Sequence, residues 1–296
     1  MVRHLTSLVF IFTFVVFLFL PTFSTFFSQD DFFIFKASLT DGSFNSFLSL
    51  FGFPSFTERG YAFYRPIFRE GIHNIYFSLF GLNHIPMHIL LMTIHFINIT
   101  LTYFLTLKIF RSYQVALFSA FFFGISAAHI GSLYYMAGGV EVIGATMFIL
   151  TTLLCFSHYV VSKRRIFFII SFISFVLGLA SHELASTLPI LLVLLALTAQ
   201  KKFEIKKLPY ILLPFFIIWI IYLYVDIFKI GFLQQEEQYK PVFAPNKIIN
   251  SFAWYVFWAW GLPEMLIDFV GPGLNLNPNL MKFWGSYFSI IFPVFF

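Results

Sequence analysis

The stretch at residues 5–20, LTSLVFIFTFVVFLFL, is almost wholly apolar and carries no charge. A helix crosses a bilayer core with about 20 mostly apolar residues, so this stretch and the few residues after it predict a membrane span. The whole chain of 296 residues has the same character, being 59% hydrophobic and only 10% charged, whereas soluble domains carry roughly 25% charged residues. The predicted fold class is therefore an all-α, polytopic transmembrane helical bundle.

Similar apolar stretches recur along the chain and predict about eight spans. They lie near residues 5–27, 86–107, 113–129, 140–161, 166–181, 184–199, 208–228 and 248–262. A ninth begins near Phe283 and is too short to cross before Phe296, so we expect a truncated ninth span. Residues 1–296 are interpreted as a single transmembrane domain, with residues 29–85 as its first and longest outer loop.

The placement of charge predicts the orientation of these spans. Most of the 18 Lys and Arg residues fall in one alternate set of connections, and most of the 13 Asp and Glu residues fall in the other. An excess of Lys and Arg marks the cytoplasmic side. We therefore expect an integral protein of the bacterial inner (plasma) membrane with a cytoplasmic N-terminus. The basic runs at 163–165 and 201–202 are topology signals, and no nucleic-acid partner is expected.

The first outer loop is predicted to contain an amphipathic helix at residues 66–80. Its apolar residues recur at spacings of three and four, and Arg69, Glu70, His73 and Asn74 lie opposite them. Such a helix is expected to lie along the membrane surface as an interfacial helix, with Arg69 in solvent.

Carboxylates and histidines stand at the outer ends of several predicted spans. Asp30 and Asp31 follow the first span, and the others are His129, Glu141, His182 and Glu183. Ionisable groups at membrane depth are costly and commonly face a cavity, so their convergence predicts a site on the outer face. The alternative for the aspartate pair is that it only marks the end of a helix.

Four stretches occur in a distinctive order between about residues 25 and 200. They are Asp30-Asp31; Tyr64-Arg65-Pro66, followed by FGLN at 80–83 and by His88; FGISAAH at 123–129, followed by Gly138 and Glu141; and LASHE at 179–183, followed by TLP at 187–189. This set resembles the GT-C superfamily of membrane glycosyltransferases. The likeness is greatest to the O-mannosyltransferases that carry tetratricopeptide repeats and to their bacterial relatives.

The resemblance implies a GT-C type helical bundle and a glycosyltransferase activity. The expected enzyme moves a mannose-like hexose from a polyprenyl-phosphate donor to a hydroxyl of a protein, lipid or glycan, with inversion and on the outer face. Asp30 or Asp31 would be the catalytic base and Arg65 would bind the donor phosphate. Binding of the phosphate or the sugar would involve His129, Glu141, His182 and Glu183.

The resemblance assigns no certain cofactor and no metal ligand, and a divalent metal ion stays open. His88 and His95 are expected to form hydrogen bonds between helices rather than to bind metal. Besides the donor and the acceptor, membrane lipids are the expected partners. Two alternatives stand beside this function: a transporter or flippase of lipid-linked sugars, and a catalytically inactive GT-C relative. The family often has His-Pro where this chain has Ser126-Ala127, and Lys where it has His182.

Overall fold

The computed structural model describes residues 2–60, 62–198, 207–231 and 243–259, with the single positions 278, 282 and 285. Every regular element in these ranges is helical. The α-helices are α1 Val2–Phe19, α2 Gln29–Ser38, α3 Phe44–Ser49, α4 Phe56–Arg59, α5 His73–Phe80, α6 Ile85–Phe110, α7 Tyr113–Ile125, α8 Ile130–Tyr134, α9 Met136–Ser162, α10 Arg165–Leu179, α11 Leu188–Thr198, α12 Leu208–Tyr224 and α13 Pro245–Ala259.

Each of the eight predicted spans contains one of these helices. Four helical stretches are long and apolar enough to cross a membrane: Arg3–Ser24, Ile85–Phe110, Met136–Ser162 and Leu208–Ile230. Three shorter apolar helices cover Tyr113–Ile125, Arg165–Leu179 and Glu183–Leu197. The predicted ninth span lies almost wholly outside the described residues.

Contacts divide the chain into two compact units. One comprises Met1–Ile125 and His129–Pro241, and the other comprises Ser126–Ala128 and Val242–Phe296. In the second unit, no residue of α13 is buried. The first unit contains all the other helices named above.

Helix α9 is the central element of the first unit, because it packs against α6, α10 and α11. One apolar core joins α1, α6, α7 and α9, with Val15, Met87, Ala120 and Ile143 buried in it. A second core lies between α9, α10, α11 and α12 around Phe215. Large apolar side chains also point outward, as at Phe17 (78% exposed), and such extended apolar surfaces suit lipid contact.

The aspartate pair begins a helix instead of ending one. Asp30 and Asp31 lie in the first turn of α2, where the unpaired N–H groups favour negative charge. Ser28 precedes this helix and exchanges hydrogen bonds with Asp31 in a capping box. The sequence contained that signal, a serine three residues before an acid at the start of an apolar run.

The predicted amphipathic helix forms, but its orientation differs from the expected one. A π-helical turn, Pro66–Ile72, leads directly into α5. The polar residues Arg69, Glu70 and His73 are buried, whereas the apolar Leu79 is 68% exposed. The prediction that Arg69 is solvated was therefore wrong. Nearby backbone carbonyls, those of Ala62, Phe63 and Phe68, accept the hydrogen bonds of the buried Arg69 and His73. The apolar side chains of Phe68 and Tyr76 are buried as well, so both sides of the segment contact the protein.

Candidate functional site

A cavity of about 390 Å³ opens between α2, α4, residues 62–65 and the start of α9. Its polar lining comprises Asp30, Arg65, Arg69, Tyr135 and Glu141, and its aromatic lining comprises Phe33, Phe56 and Phe63. Small-molecule sites commonly have a volume of this order, with apolar walls and a few convergent polar groups. This cavity is therefore the candidate functional site.

Asp30 is the member of the aspartate pair that faces the cavity. Its side chain is exposed, and its Oδ2 accepts a hydrogen bond from the hydroxyl of Tyr135. Burial and the nearby carboxylates raise the pKa of Tyr135 above its ordinary value. Tyr135 therefore stays protonated and donates to Asp30, while the rest of this carboxylate is open to a ligand.

Asp31 is buried, and its carboxylate caps the start of α2 instead of facing the cavity. It is 1% exposed, and its Oδ2 accepts from the backbone N–H of Ser28 at 2.6 Å and from the Ser28 hydroxyl at 3.2 Å. Burial raises the pKa of Asp31, and the hydrogen bonds from Ser28 oppose that effect. Because successive helical residues point about 100° apart, the two carboxylates have different surroundings, and only Asp30 lines the cavity.

Arg65 is held between two glutamates from different helical elements. Its Nε and Nη2 donate to the two oxygens of Glu183 at 2.8 and 2.6 Å, and its Nη1 donates to Oε2 of Glu141 at 2.5 Å. Glu141 is 2% exposed and Glu183 is 32% exposed. These carboxylates raise the pKa of Arg65 further above its ordinary value despite burial. A guanidinium has five N–H donors, so two remain for a ligand.

The backbone around Arg65 is fixed by side chains from distant parts of the sequence. Asp226 is 2% exposed and accepts from the backbone N–H of Tyr64 at 2.8 Å. Arg69 donates to the carbonyl oxygens of Ala62 and Phe63 at 2.8 and 2.5 Å. We call residues 62–67 the Arg65 segment. Its position is set before any ligand binds.

Phe63 is the strained residue of the Arg65 segment. Its φ is +68°, a left-handed conformation that bulky side chains rarely adopt. The carbonyl oxygen of Phe63 accepts a hydrogen bond from Arg69. The Phe63 ring lies under the guanidinium of Arg65, with 5.1 Å between Cζ and the ring centre. Backbone strain of this kind persists only where surrounding contacts impose it, and it is common at functional sites.

His182 lies beside the Arg65–Glu183 pair, with its Nδ1 3.3 Å from Oε2 of Glu183. Its Nδ1 accepts from the backbone N–H of Leu184 at 3.2 Å, so this nitrogen carries no proton there. Burial and the charge of Arg65 lower the pKa of His182 to about 4. A neutral His182 therefore caps the 3-10 turn Glu183–Thr187 and leaves Glu183 to Arg65.

His129 is placed apart from the cavity. Its ring contacts those of His95 and Phe123, with centroids 4.7 and 4.6 Å away, and it does not line the cavity. Burial lowers its pKa to about 3, so it is neutral. His95 makes the expected hydrogen bond between helices, with Nε2 3.1 Å from the carbonyl oxygen of Gly124 in α7. His88 instead contacts the loop after α1, with Nε2 3.0 Å from the carbonyl oxygen of Thr25.

The structure thus gathers some of the predicted site residues and separates others. Asp30, Arg65 and Glu141 line one cavity, and Glu183 joins them through Arg65. Asp31, His129 and His182 have local structural contacts instead. Within the described ranges, no group of three or more His, Cys, Asp or Glu side chains is arranged to hold a metal ion.

Sequence reasoning missed two residues of this site, Tyr135 and Asp226, and it placed a third, Arg69, in solvent. Asp226 did give a signal, because it is the lone carboxylate at the end of an otherwise apolar span. Tyr135 gave none that separates it from the neighbouring Tyr134. Comparison with known protein families, with curated proteins and with solved structures finds no match for this chain.

Proposed function

We propose that this protein is a membrane glycosyltransferase that moves a hexose from a polyprenyl-phosphate donor to an acceptor hydroxyl. The observation that carries the proposal is that an open carboxylate, Asp30, and a cation with spare donors, Arg65, share one cavity. That cavity lies at one end of helices long and apolar enough to cross a membrane. A lipid-linked substrate could reach it from the bilayer.

In the proposed reaction, Asp30 is the general base. The acceptor oxygen attacks the anomeric carbon of the sugar, and its proton passes to the carboxylate of Asp30. The bond between that carbon and the phosphate oxygen breaks, and its electron pair stays with the polyprenyl phosphate. Attack opposite the leaving group inverts the anomeric centre. No acid is required, because a phosphate leaves without the protonation that a glycosidic alkoxide needs.

Arg65 is the proposed partner of the leaving phosphate. A guanidinium matches phosphate oxygens in charge and geometry. Glu141 and Glu183 fix its orientation and leave two donors, so the phosphate joins an existing network instead of replacing it. The aromatic rings of Phe33, Phe56 and Phe63 supply apolar walls for the sugar face. The charge pattern of the connections further supports an outward-facing site in a bacterial inner membrane.

The aspartate pair offers a matched test of this proposal. Asp30→Asn and Asp31→Asn remove the same charge from adjacent residues. The assay supplies polyprenyl-phosphate [¹⁴C]mannose to the purified protein in proteoliposomes with a membrane extract as acceptor, and measures the label in product. Loss of a general base costs about 10²–10⁴-fold in rate. We expect that loss for Asp30→Asn and a change of less than about threefold for Asp31→Asn.

Equal transfer rates for wild type and Asp30→Asn would show that Asp30 is not the general base. A wild-type protein that transfers no mannose but carries the labelled lipid from one leaflet to the other would replace the proposal with the flippase alternative. A wild-type protein that neither transfers mannose nor moves the labelled lipid would favour the second alternative, a catalytically inactive GT-C relative.

A further inference from the structure

A basic cleft lies at the opposite end of the bundle from the candidate site. Two adjoining hollows, of about 570 and 130 Å³, share Lys108, Arg111 and Val161. They open between the last turns of α6 and α9. Glu141 and Val161 lie 20 positions apart on α9, and at 1.5 Å per residue this places the cleft roughly 30 Å from the cavity. The cleft is therefore a separate site.

Among the described residues, no carboxylate compensates the charge of this cleft. No carboxylate lines either hollow, and within the described part of the chain none lies at ion-pair distance from Lys108 or Arg111. Lys108 Nζ lies 3.4 Å from His158 Nδ1, a contact that leaves two of its three N–H donors. The negative end of α6 offsets only about half a charge. The cleft therefore attracts an anion.

The walls of the cleft are apolar, which distinguishes it from a site for a free anion. Phe104 and Val161 are 41% and 40% exposed, and Leu154 lines the same hollow. Helices α6 and α9 are both long enough to cross a bilayer, so these walls continue into the predicted hydrocarbon layer. A ligand that fits has an anionic head and a hydrocarbon tail.

We infer that this cleft binds the phosphate headgroup of an anionic membrane lipid between Lys108 and Arg111. The lipid tail lies against Phe104 and Leu154 in the groove between α6 and α9. Basic pockets between membrane helices are a recognised form of lipid site. By the charge rule this end is the cytoplasmic one, where anionic headgroups are accessible. The inference is independent of the proposed sugar transfer.

The test compares two double variants that lose the same charge. Lys108→Gln/Arg111→Gln removes both cations of the cleft, and Arg164→Gln/Arg165→Gln removes two exposed cations outside its lining. Dissociation constants for phosphatidylglycerol and phosphatidylcholine are measured by native mass spectrometry on the full chain in detergent. Each cation near a headgroup contributes about fivefold. We expect about 25-fold weaker phosphatidylglycerol binding for the cleft variant and less than about threefold for the control.

Three results would overturn the inference. Equal losses in the two double variants would mean general surface attraction, and equal wild-type affinity for phosphatidylcholine would mean that charge does not matter. Displacement of phosphatidylglycerol by an equal concentration of glycerol 1-phosphate would mean a site for free phosphates. If the cleft variant does not fold, Val161→Trp fills the groove and keeps both cations. We expect it to weaken phosphatidylglycerol binding at least tenfold, and unchanged binding would refute the tail position.

Discussion

The pairing of Arg65 with Glu141 gives the sharpest prediction about stability. Arg65→Met removes the cation and leaves Glu141, which is 2% exposed, without its partner at 2.5 Å. Breaking a buried ion pair in this way costs about 3–5 kcal/mol. Coulomb's law gives a similar size, about 4 kcal/mol for unit charges 4 Å apart at an effective dielectric constant of 20. Glu183 adds little to this cost, because it is 32% exposed and solvent can stabilise it.

The expected readout is the midpoint of thermal unfolding of the purified protein in detergent. At about 2–4 °C per kcal/mol, Arg65→Met should lower the midpoint by on the order of 10 °C. The exposed arginine of a matched control, Arg164→Met, should lower it by less than about 2 °C. Glu141→Gln should cost less than Arg65→Met, since glutamine still accepts a hydrogen bond and Arg65 keeps its bidentate contact with Glu183.

The double variant Arg65→Met/Glu141→Gln decides whether the ion pair is the cause. It removes both charges, so it should recover about 2 kcal/mol relative to the sum of the single variants. A double variant whose loss equals that sum would show no coupling between the two side chains. That result, or an equal cost for Glu183→Gln and Arg65→Met, would refute the account of the site's stability given above.

Three further predictions use other residues near the site. Tyr135→Phe removes the hydrogen bond to Asp30, so sugar transfer in the proteoliposome assay should fall about tenfold with little change in the unfolding midpoint; an unchanged rate would count against this contact. Gly139→Ala would place a Cβ 2.0 Å from the carbonyl oxygen of Ser132, whereas the Cβ of the control variant Gly131→Ala would meet nothing within 4 Å. In an unfolding assay, only Gly139→Ala should lower the free energy of unfolding by more than about 2 kcal/mol. Burial lowers the pKa of His73 from 6.5 to about 4, so the unfolded chain binds a proton that the folded chain does not. On the order of 3 kcal/mol of stability should therefore be lost through His73 as pH falls from about 6.5 to about 4. The lowered pKa values of His129 and His182 act over the same range, so His73→Gln should reduce the pH dependence of the unfolding midpoint without abolishing it, and an identical pH dependence would refute the prediction.

The sequence predicted the long helices well because their signal is strong and local. The helix predicted at 86–107 is Ile85–Phe110 in the structure, and the one predicted at 140–161 is Met136–Ser162. An apolar stretch of that length has few alternatives to a helix, since every backbone polar group must be satisfied within the segment. Helix α2 was missed because its short apolar face follows a loop and no long repeat marks it.

The sequence could not predict which way the 66–80 segment faces. Periodicity separates polar from apolar positions but does not say which side is buried, and here Arg69 and His73 find their acceptors inside the protein. It also could not distinguish Asp30 from Asp31, because that difference depends on the start of α2. The bidentate contact of Arg65 with Glu183 could not be predicted either, because it joins residues 118 positions apart and depends on tertiary packing.

The contacts of the Arg65 segment have a consequence for the order in which the chain is made. Arg65 is separated by 118 residues from Glu183 and Tyr64 by 162 residues from Asp226. During synthesis from the N-terminus, this segment therefore leaves the ribosome long before its partners do. Until Glu141 and Glu183 have been inserted, the guanidinium must stay in water or at the headgroups, because burying it without a partner is costly. Assembly of the cavity is thus a late event in biogenesis, because the backbone of Tyr64 finds its acceptor only after Asp226 has been synthesised.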